Sequence, residues 1–466
     1  MTQPTADFSA AGSVRFDTPA LALCQRDQGD RAAWQQALAR GPREAAAGAA
    51  GEFSVAMRVA TGRSFLAVDR FATHPLCYRV DADGLHFAER ADILAGPNPE
   101  IDPQAIFDYL YFHMIPAPRT IYRGVFRLPP GHFALYERGH LSVQPYWVPT
   151  FDEDNTTSFE PRRDEFVALL GEAVRRRLDG SKPACFLSGG TDSSTIAGLI
   201  GRVAGRPAAT YSIGFDAEGY DEMAYARIAA RHFGTEHHEY YVTPDDLVRS
   251  IPAVARHFDQ PFGNSSALPA FHCAKMAHAD GVTRLLGGDG GDELFGGNTR
   301  YAKQRVFGWY NAVPKALRRG LLEPVFAGSP VGRLPLLRKG ASYIEQARTP
   351  MPDRLQMYNL LLRLGVDRVL APGFVAQVDT AAPLRQQREV WSAAHAHSDL
   401  NRTLAYDWRY TLAESDLPKV CMTAQLAGPT VRFPLLDDEV CWRSVSVPRT
   451  GLTSFSPKLR RDQDRT

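Results

Sequence analysis

The stretch Pro183–Ile200, PACFLSGGTDSSTIAGLI, constrains the fold of this chain more than any other. Its apolar residues 184–187 predict a buried strand, and residues 195–200 predict the opening of a packed helix. Between them, two glycines let the backbone approach an anion, and the N–H groups and dipole of a helix start favour negative charge. Asp192 would repel a bare phosphate, so a magnesium ion between the two explains its presence. The stretch predicts a phosphate-binding loop; a capped turn without a ligand is the alternative.

A second glycine-rich run, Gly287–Gly297, reads GGDGGDELFGG and follows the apolar pair Leu285 and Leu286. The apolar pair predicts the end of a strand. Glycines mixed with carboxylates suit a backbone that passes close to phosphates and a divalent cation, although a flexible acidic loop or a calcium site is the alternative. Because both runs follow predicted strands, they lie where ligands bind in α/β sheets, beyond the carboxyl ends of the strands.

Length, charge and cysteine usage bound the class of protein. The 466 residues predict two or three domains of ~150 residues. A net charge of +1 offers no basic surface to nucleic acid. No apolar run approaches the ~18 residues of a membrane span, and the N-terminal residues lack a secretory-signal pattern. The six scattered cysteines favour buried thiols in a reducing compartment. We therefore expect a cytoplasmic protein that binds neither nucleic acid nor membrane.

Hydrophobic patterning divides the chain into two parts. Residues 1–147 are β-rich with short helices, and the polar segment 148–160 predicts a linker. From Arg162 onward strands alternate with helices, which predicts a parallel sheet with helices on both faces. After Tyr301 the pattern is mainly helical. We therefore expect an α/β protein with one domain at residues 1–147 and another at residues 161–466.

The two loops and several shorter motifs resemble one protein family. SGGTDSS resembles the pyrophosphate loop of the ATP-pyrophosphatases, and LLGGDGGDELFGG resembles the synthetase signature of the glutamine-dependent asparagine synthetases. Further similar segments, within about residues 50–445, are SIGF at 212–215, YDE at 220–222, GTEHH at 234–238, QPF at 260–262, LPKV at 417–420 and VRFPLLD at 431–437. The resemblance implies a degenerate, β-rich N-terminal domain of Ntn-hydrolase (αββα) glutaminase type. It also implies a doubly wound PP-loop synthetase domain with a helical C-terminal portion.

The resemblance further implies a reaction. In this family a substrate carboxylate attacks the α-phosphorus of ATP, and an amine then attacks the acyl-adenylate to form an amide. The implied cofactors are ATP and Mg²⁺, and the implied partners are a carboxylate substrate and an amine or ammonia donor. A homodimer is one assembly compatible with the sequence.

The resemblance assigns the site residues by position. Ser188, Gly189, Gly190, Asp192 and Ser193 match the pyrophosphate loop, whereas Leu187, Ser212 and Gly288 match residues that line the nucleotide. Asp192 and Asp292 match the magnesium-binding carboxylates. Asp289 matches a position near the acyl group, where an assisting role is expected. Lys419 matches the lysine of the family's LxK segment, with a surface or packing role as the alternative. Lys458 can stand in for a C-terminal lysine that assists amide formation.

Two departures from the family pattern affect the expected activity. Thr2 occupies the position of the family's glutaminase cysteine, and no segment before Gly51 matches its glutamine-binding Asn-Gly-Glu. We therefore expect glutaminase activity to be lost. The chain also ends soon after Asp437, where family members continue with a basic helix, so the segment around Lys458 is either a substitute or a solvated tail.

Three hypotheses for the function follow, and we rank them from the most to the least favoured. The first is an AMP-forming amide ligase of asparagine synthetase type, which converts aspartate to asparagine if the family's substrate is retained. The second is a cyclase that closes an amide within one substrate, as in the β-lactam synthetases and lasso-peptide cyclases, which are similar proteins. The third is a non-catalytic ATP-binding homologue.

Overall fold

The computed structural model describes residues 7–153, 159–216, 221–298, 300–301, 313–314, 317–318 and 343–444. These residues form two compact units. One contains the described parts of residues 1–148, 157–294 and 408–445, and the other contains those of residues 149–156 and 295–407. Both glycine-rich loops, up to Leu294, therefore belong to the same unit as the β-rich N-terminal part.

The N-terminal part of the first unit is built on two antiparallel sheets. Its described strands are β1 (Phe8–Phe16), β2 (Ala49–Ala60), β3 (Arg63–Val68), β4 (Cys77–Asp81), β5 (Gly84–Ala88), β6 (Phe126–Arg127), β7 (His132–Glu137) and β8 (His140–Pro145). One sheet has the order β1-β2-β3-β7-β8 and the other β5-β4-β6. The accompanying helices are α1 (Pro19–Gln28), α2 (Asp30–Leu38), α3 (Pro42–Ala47), α4 (Ala91–Ala95) and α5 (Pro103–Phe112).

An aromatic cluster forms the core between α2 and the first sheet. Trp34, on α2, is 1% exposed. Its ring lies 5.1 Å from that of Phe16, 5.5 Å from that of Phe53 and 5.9 Å from that of Phe65, centroid to centroid. These phenylalanines come from β1, β2 and β3. The cluster thus holds three strands of the sheet to one helix by burial of large apolar surface.

A parallel sheet forms the rest of the first unit. Its strands are β9 (Ala184–Phe186), β10 (Ala209–Phe215), β11 (Glu236–Val242), β12 (Arg284–Leu286) and β13 (Thr430–Arg432), in the order β11-β10-β9-β12-β13. The connecting helices are α6 (Phe159–Arg177), α7 (Thr191–Ala204), α8 (Met223–Phe233), α9 (Pro244–His257), α10 (Ala267–Ala279) and α11 (Gly291–Phe295). Because every pair of neighbours is parallel, all strands end at the same edge.

The described residues after 343 are mainly helical. They form α12 (Leu360–Leu364), α13 (Val366–Val369), α14 (Pro372–Val375), α15 (Ala382–Ala393), α16 (Asp399–Asp407), α17 (Leu417–Ala427) and α18 (Asp438–Ser444). A π-helix, Trp408–Asp416, joins α16 to α17. Among the residues that the structure describes, the helices are all too short or too polar to cross a membrane.

The expected mixed α/β fold is confirmed, with a β-rich N-terminal part and a parallel sheet after it. Three details differ from the sequence prediction. Helix α7 begins at Thr191 rather than Thr195, so Asp192 lies in its first turn. Strand β13 was not predicted, because three residues carry too little pattern. Residues 8–28 form β1 and α1 although they are weakly patterned, because pairing with β2 and burial of Leu21 stabilise them.

Replacing Trp34 should destabilise the protein strongly. Trp34→Ala leaves a cavity among three phenylalanine rings, so the free energy of unfolding should fall by about 3–5 kcal/mol. Urea unfolding followed by far-UV circular dichroism measures the change. Leu23→Ala on α1, where the residue is 49% exposed, is the control and should cost less than about 0.5 kcal/mol. Equal losses in the two variants would contradict the assignment of Trp34 to the core.

Candidate nucleotide and metal site

The two glycine-rich loops leave neighbouring strands of the parallel sheet. Strands β9 and β12 pair through Cys185 and Leu286. The first loop begins at Leu187, directly after β9, and the second begins at Gly287, directly after β12. The sheet therefore delivers both loops to one edge, side by side, as expected of ligand sites in parallel sheets.

Hydroxyl groups inside the first loop fix its shape. The Oγ atoms of Ser188 and Ser193 lie 2.9 Å apart, and Ser193 Oγ also accepts a 3.1 Å hydrogen bond from the Ser188 N–H. Gly189 has a φ of +83°, and a Cβ there would overlap the backbone of Tyr225 and Ala226 at the start of α8. The turn thus requires glycine, and its serines are bonded to each other.

The first turn of α7 faces this turn. Gly190 is the N-cap residue of α7, and no described side chain caps the helix there. Ser194 N–H donates to the Gly190 carbonyl at 3.1 Å, which begins the hydrogen bonds within the helix. The N–H groups before it, in the first turn of an α-helix, have no acceptor within the helix. Asp192 carries its carboxylate in the same turn. A helix start and a carboxylate therefore lie together beside the glycines.

The second loop packs its backbone against the first. A Cβ added at Gly288 would lie 2.7 Å from the Ser193 nitrogen, and one added at Gly291 would overlap the carboxylate of Asp192. Side chains at either position would push the loops apart. The glycines are therefore needed for close approach, and they bring the Asp192 carboxylate against the backbone at the start of α11.

Two carboxylates of the second loop act on Asp192 where the loops meet. Burial, followed by repulsion from Asp292 and Asp289, raises the pKa of Asp192 to about 6. The pKa of Asp289 is also raised to about 6, because burial and Asp416 raise it more than Lys419 lowers it. Repulsion between neighbouring carboxylates is relieved by a divalent cation, which prefers oxygen ligands. This donor set fits Mg²⁺.

Lys419 lies beside the carboxylate cluster, in the first turn of α17. Its Nζ donates to Asp416 Oδ1 at 2.8 Å, and its charge lowers the pKa of Asp289. Glu414, close to Lys419 along the chain, is 5% exposed, forms an ion pair with Arg409 at 3.0 Å and accepts a hydrogen bond from the Ala117 N–H. The contacts of Glu414 thus stabilise the protein interior.

Leu187 lies directly after β9, and Ser212 lies in the middle of the neighbouring strand β10. Leu187 N–H donates to the Tyr211 carbonyl at 3.0 Å. The Ser212 hydroxyl donates a short hydrogen bond to the Leu187 carbonyl. Both residues are buried. Their contacts fix the end of β9, so any contribution to a nucleotide comes through the backbone.

The structure brings together most of the site residues inferred from sequence. The residues at the sheet edge are Leu187, Ser188, Gly189, Gly190, Asp192, Ser193, Ser212, Gly288, Asp289, Asp292 and Lys419. Lys458 lies outside the described residues. His237 and His238, which neighbour each other in β11, turn to different partners, Thr210 and Glu236.

Sequence reasoning missed two contacts that hold the second loop. The Arg432 carbonyl, at the end of β13, accepts a 2.9 Å hydrogen bond from the Gly287 N–H. The indole N–H of Trp408 donates to the Glu293 carbonyl at 2.7 Å. Arg432 lies within the recognised VRFPLLD segment, but no sequence pattern indicates which backbone group it meets.

The raised pKa of Asp192 predicts a pH-dependent effect on stability. Its pKa of about 6 exceeds the ordinary value of 3.8, so the folded state binds the proton more tightly than the unfolded state does. The stability that comes from this tighter proton binding is lost as the pH rises from 4 to 6. Asp192→Asn removes the charge. It should raise the free energy of unfolding by about 3 kcal/mol at pH 8 and change it little at pH 4.

Urea unfolding without divalent cations, at both pH values, measures this effect. Asp164→Asn, at a side chain that is 71% exposed, is the control and should show no such difference. A gain from Asp192→Asn that is equal at pH 4 and pH 8 would contradict the charge cluster.

Two family models match the chain. The model described as asparagine synthase matches residues 165–450, and the one described as a glutamine amidotransferase domain matches residues 28–147. The first match contains both glycine-rich loops and Lys419.

Curated relatives match at about 30% identity. Asparagine synthetase (glutamine-hydrolysing) 1 of Bacillus subtilis is 30% identical over 401 residues, which are 83% of this chain and 61% of that protein. A protein of Mycobacterium bovis, provisionally named asparagine synthetase (glutamine-hydrolysing), is 30% identical over 396 residues, 82% of this chain and 58% of that protein. The chain thus spans about three fifths of the length of these relatives. Because the asparagine synthase model matches more than half of its residues, the chain belongs to the asparagine synthase family.

Proposed function

We propose that this protein catalyses ATP-dependent, AMP-forming amide-bond synthesis through an acyl-adenylate, with aspartate as the first carboxylate to test. The observation that carries the proposal is the contact between the two loops, in which Gly288 lies against Ser193 and Gly291 against Asp192. Their convergence supports a site that holds the triphosphate of ATP between a helix start and a carboxylate cluster. Family membership supports the same reaction class.

The adenylation step needs an in-line attack and a stabilised leaving group. A carboxylate oxygen of the substrate attacks the α-phosphorus, and the bond from that phosphorus to the β-phosphate oxygen breaks. The backbone N–H groups at the start of α7 stabilise the negative charge that gathers on the departing pyrophosphate. The Ser188–Ser193 pair keeps the turn in the conformation that presents those N–H groups.

Asp192 and Asp292 are the residues that would hold Mg²⁺. When bound, Mg²⁺ supplies charge neutralisation to the pyrophosphate. Gly291 leaves room for the Asp192 carboxylate at the start of α11, where Asp292 is the next residue. At pH 7 the pKa of about 6 leaves Asp192 largely ionised and able to accept a cation.

Asp289 and Lys419 interact electrostatically with each other beside Asp192, and we assign them to the acyl group. Lys419 keeps the pKa of Asp289 from rising further and carries a positive charge that can orient a carboxylate. In the second step the amine nitrogen attacks the acyl carbon, AMP departs and the nitrogen loses a proton. We assign the acceptance of that proton to Asp289; the part assigned to Lys458 stays a prediction.

The amine is proposed to come from ammonia in solution or from a second substrate rather than from glutamine. A glutaminase cysteine must reach its thiolate form. Burial raises the pKa of Cys77 and Cys185 to about 12, and raises those of Cys273, Cys421 and Cys441 as well. Cys24 lies within α1, where its own backbone nitrogen is part of the chain and offers no free amine as a base.

The reaction is tested by pyrophosphate release from ATP and Mg²⁺ with aspartate and either ammonium or glutamine, with product identified by mass spectrometry. Ammonium should support amide formation and glutamine should not. Asp192→Ala should lower pyrophosphate release about 10²–10³-fold. The variant lacks one of the two carboxylates that would hold Mg²⁺, so the negative charge on the departing pyrophosphate is no longer neutralised. Asp164→Asn should retain wild-type turnover.

Each of three other outcomes of this assay would exclude one part of the proposal. Wild-type turnover in Asp192→Ala would exclude the assigned metal site. A carboxylate panel that yields no pyrophosphate would exclude the ligase. A product cyclised within one substrate would replace the intermolecular reaction with the cyclase hypothesis.

Lys419→Met should move the acid limb of the pH–rate profile to higher pH. Lys419 lowers the pKa of Asp289, so its removal raises that pKa above about 6, and Asp416 then adds repulsion. The profile of turnover between pH 5 and 9 measures the shift. Lys275→Met, at an exposed lysine of α10, should leave the profile unchanged. A uniform loss of rate without a shift would contradict the coupling of Lys419 to Asp289.

A further inference from the structure

The N-terminal part of the first unit reaches both ends of the acidic loop, defined here as residues 287–293. One contact runs from Glu52 in β2, and the other runs from Trp147, two residues after the end of β8. Neither side chain belongs to the candidate site. Both contacts pass through a single intermediate residue to the backbone of the loop.

The first contact begins with the buried carboxylate of Glu52. Its Oε2 accepts a 3.1 Å hydrogen bond from Arg432, and its Oε1 accepts bonds from Arg177 at 3.0 Å and from the Phe433 N–H at 3.4 Å. The Arg432 carbonyl in turn accepts the Gly287 N–H at 2.9 Å. Glu52 therefore fixes the end of β13 that holds the start of the acidic loop.

The second contact begins with the indole of Trp147. It stacks on Trp408 with ring centroids 5.7 Å apart and planes 7° apart, and Phe71 lies 6.0 Å from the Trp408 ring. Trp408 Nε1 donates to the Glu293 carbonyl at 2.7 Å. This aromatic stack therefore fixes the orientation of the indole that holds the end of the acidic loop.

The two contacts bracket the carboxylates of Asp289 and Asp292. Those side chains lie on glycine-rich backbone, which has more freedom to move than any other. Like charges close together also push the backbone apart. A loop of this kind keeps its geometry only if its ends are held by rigid elements, and Arg432 and Trp408 hold them.

We propose that the N-terminal part acts as a positioning scaffold for the acidic loop, with Glu52 and Trp147 as positioning residues. The effect on catalysis rests on the function proposed above; the effect on the loop does not. The scaffold gives a reason for this part of the chain to persist independently of glutamine hydrolysis.

A second group of ionic contacts joins the same two parts of the unit without touching the loop. Asp438 accepts a 2.6 Å hydrogen bond from the Gly51 N–H and pairs with Arg70 and Arg15. Among the described residues, none of these contacts of Asp438 reaches residues 287–293. Asp438→Asn is therefore a matched control, because it removes a buried carboxylate from the same junction.

The test is hydrogen–deuterium exchange of the full chain, read by mass spectrometry, on wild type, Glu52→Gln and Asp438→Asn without nucleotide. Glu52→Gln should speed amide exchange in peptides that cover residues 286–295, while peptides from β10 and α10 keep wild-type rates. Asp438→Asn should leave the loop unchanged. Trp147→Leu, at a half-buried side chain, should reproduce the effect of Glu52→Gln.

A second readout is the Mg²⁺ concentration that half-saturates ATP binding, measured by calorimetric titration. It should rise about tenfold in Glu52→Gln, as is common when a residue that orients metal ligands is lost. Unchanged loop exchange in both Glu52→Gln and Trp147→Leu would overturn the proposal. So would faster exchange throughout the chain, which marks a loss of global stability. Neither readout needs turnover, so an inactive wild type would reject the ligase and leave this test intact.

Discussion

The candidate site depends on one close approach between two stretches of backbone. Gly288 lies against the Ser193 nitrogen and Gly291 against the Asp192 carboxylate, with no room for a side chain at either place. Because β9 and β12 are paired neighbours, the sheet itself sets the separation of the loops that follow them. The distance between the two loops is thus set by the pairing of β9 with β12.

The close approach of the two loops also places carboxylates where their charged forms are unfavourable. Asp192 and Asp289 lie where burial and neighbouring carboxylates disfavour their charged forms. The buried carboxylate of Asp437, in the same unit, is instead paired with Arg176 and Arg177. The contrast between a satisfied ionic junction and an unrelieved acidic cluster is typical of binding sites, where a ligand supplies the missing charge.

Local patterns predicted much of this structure, and contacts between distant segments account for what they missed. The strand–turn–helix at SGGTDSS and the second glycine run each occupy about a dozen consecutive residues. Their phosphate and metal chemistry could therefore be predicted from the sequence. Parallel pairing then required the two loops to share an edge. Strand β13 has three residues, and the partners of Glu52 and Trp408 lie far away in sequence. Hydrophobic periodicity does not predict such contacts, because they depend on how the helices and strands pack together after they have formed.

The position of β13 has a consequence for how the protein is made. Arg284 of β12 pairs with Thr430 of β13, although the whole helical region separates them along the chain. Contacts of such long range form late and slowly. During translation, β9 to β12 leave the ribosome well before their outer neighbour, so β12 waits with one edge unpaired. The nascent chain therefore carries an incomplete sheet for much of its synthesis, and this interval is when chaperone binding would matter most.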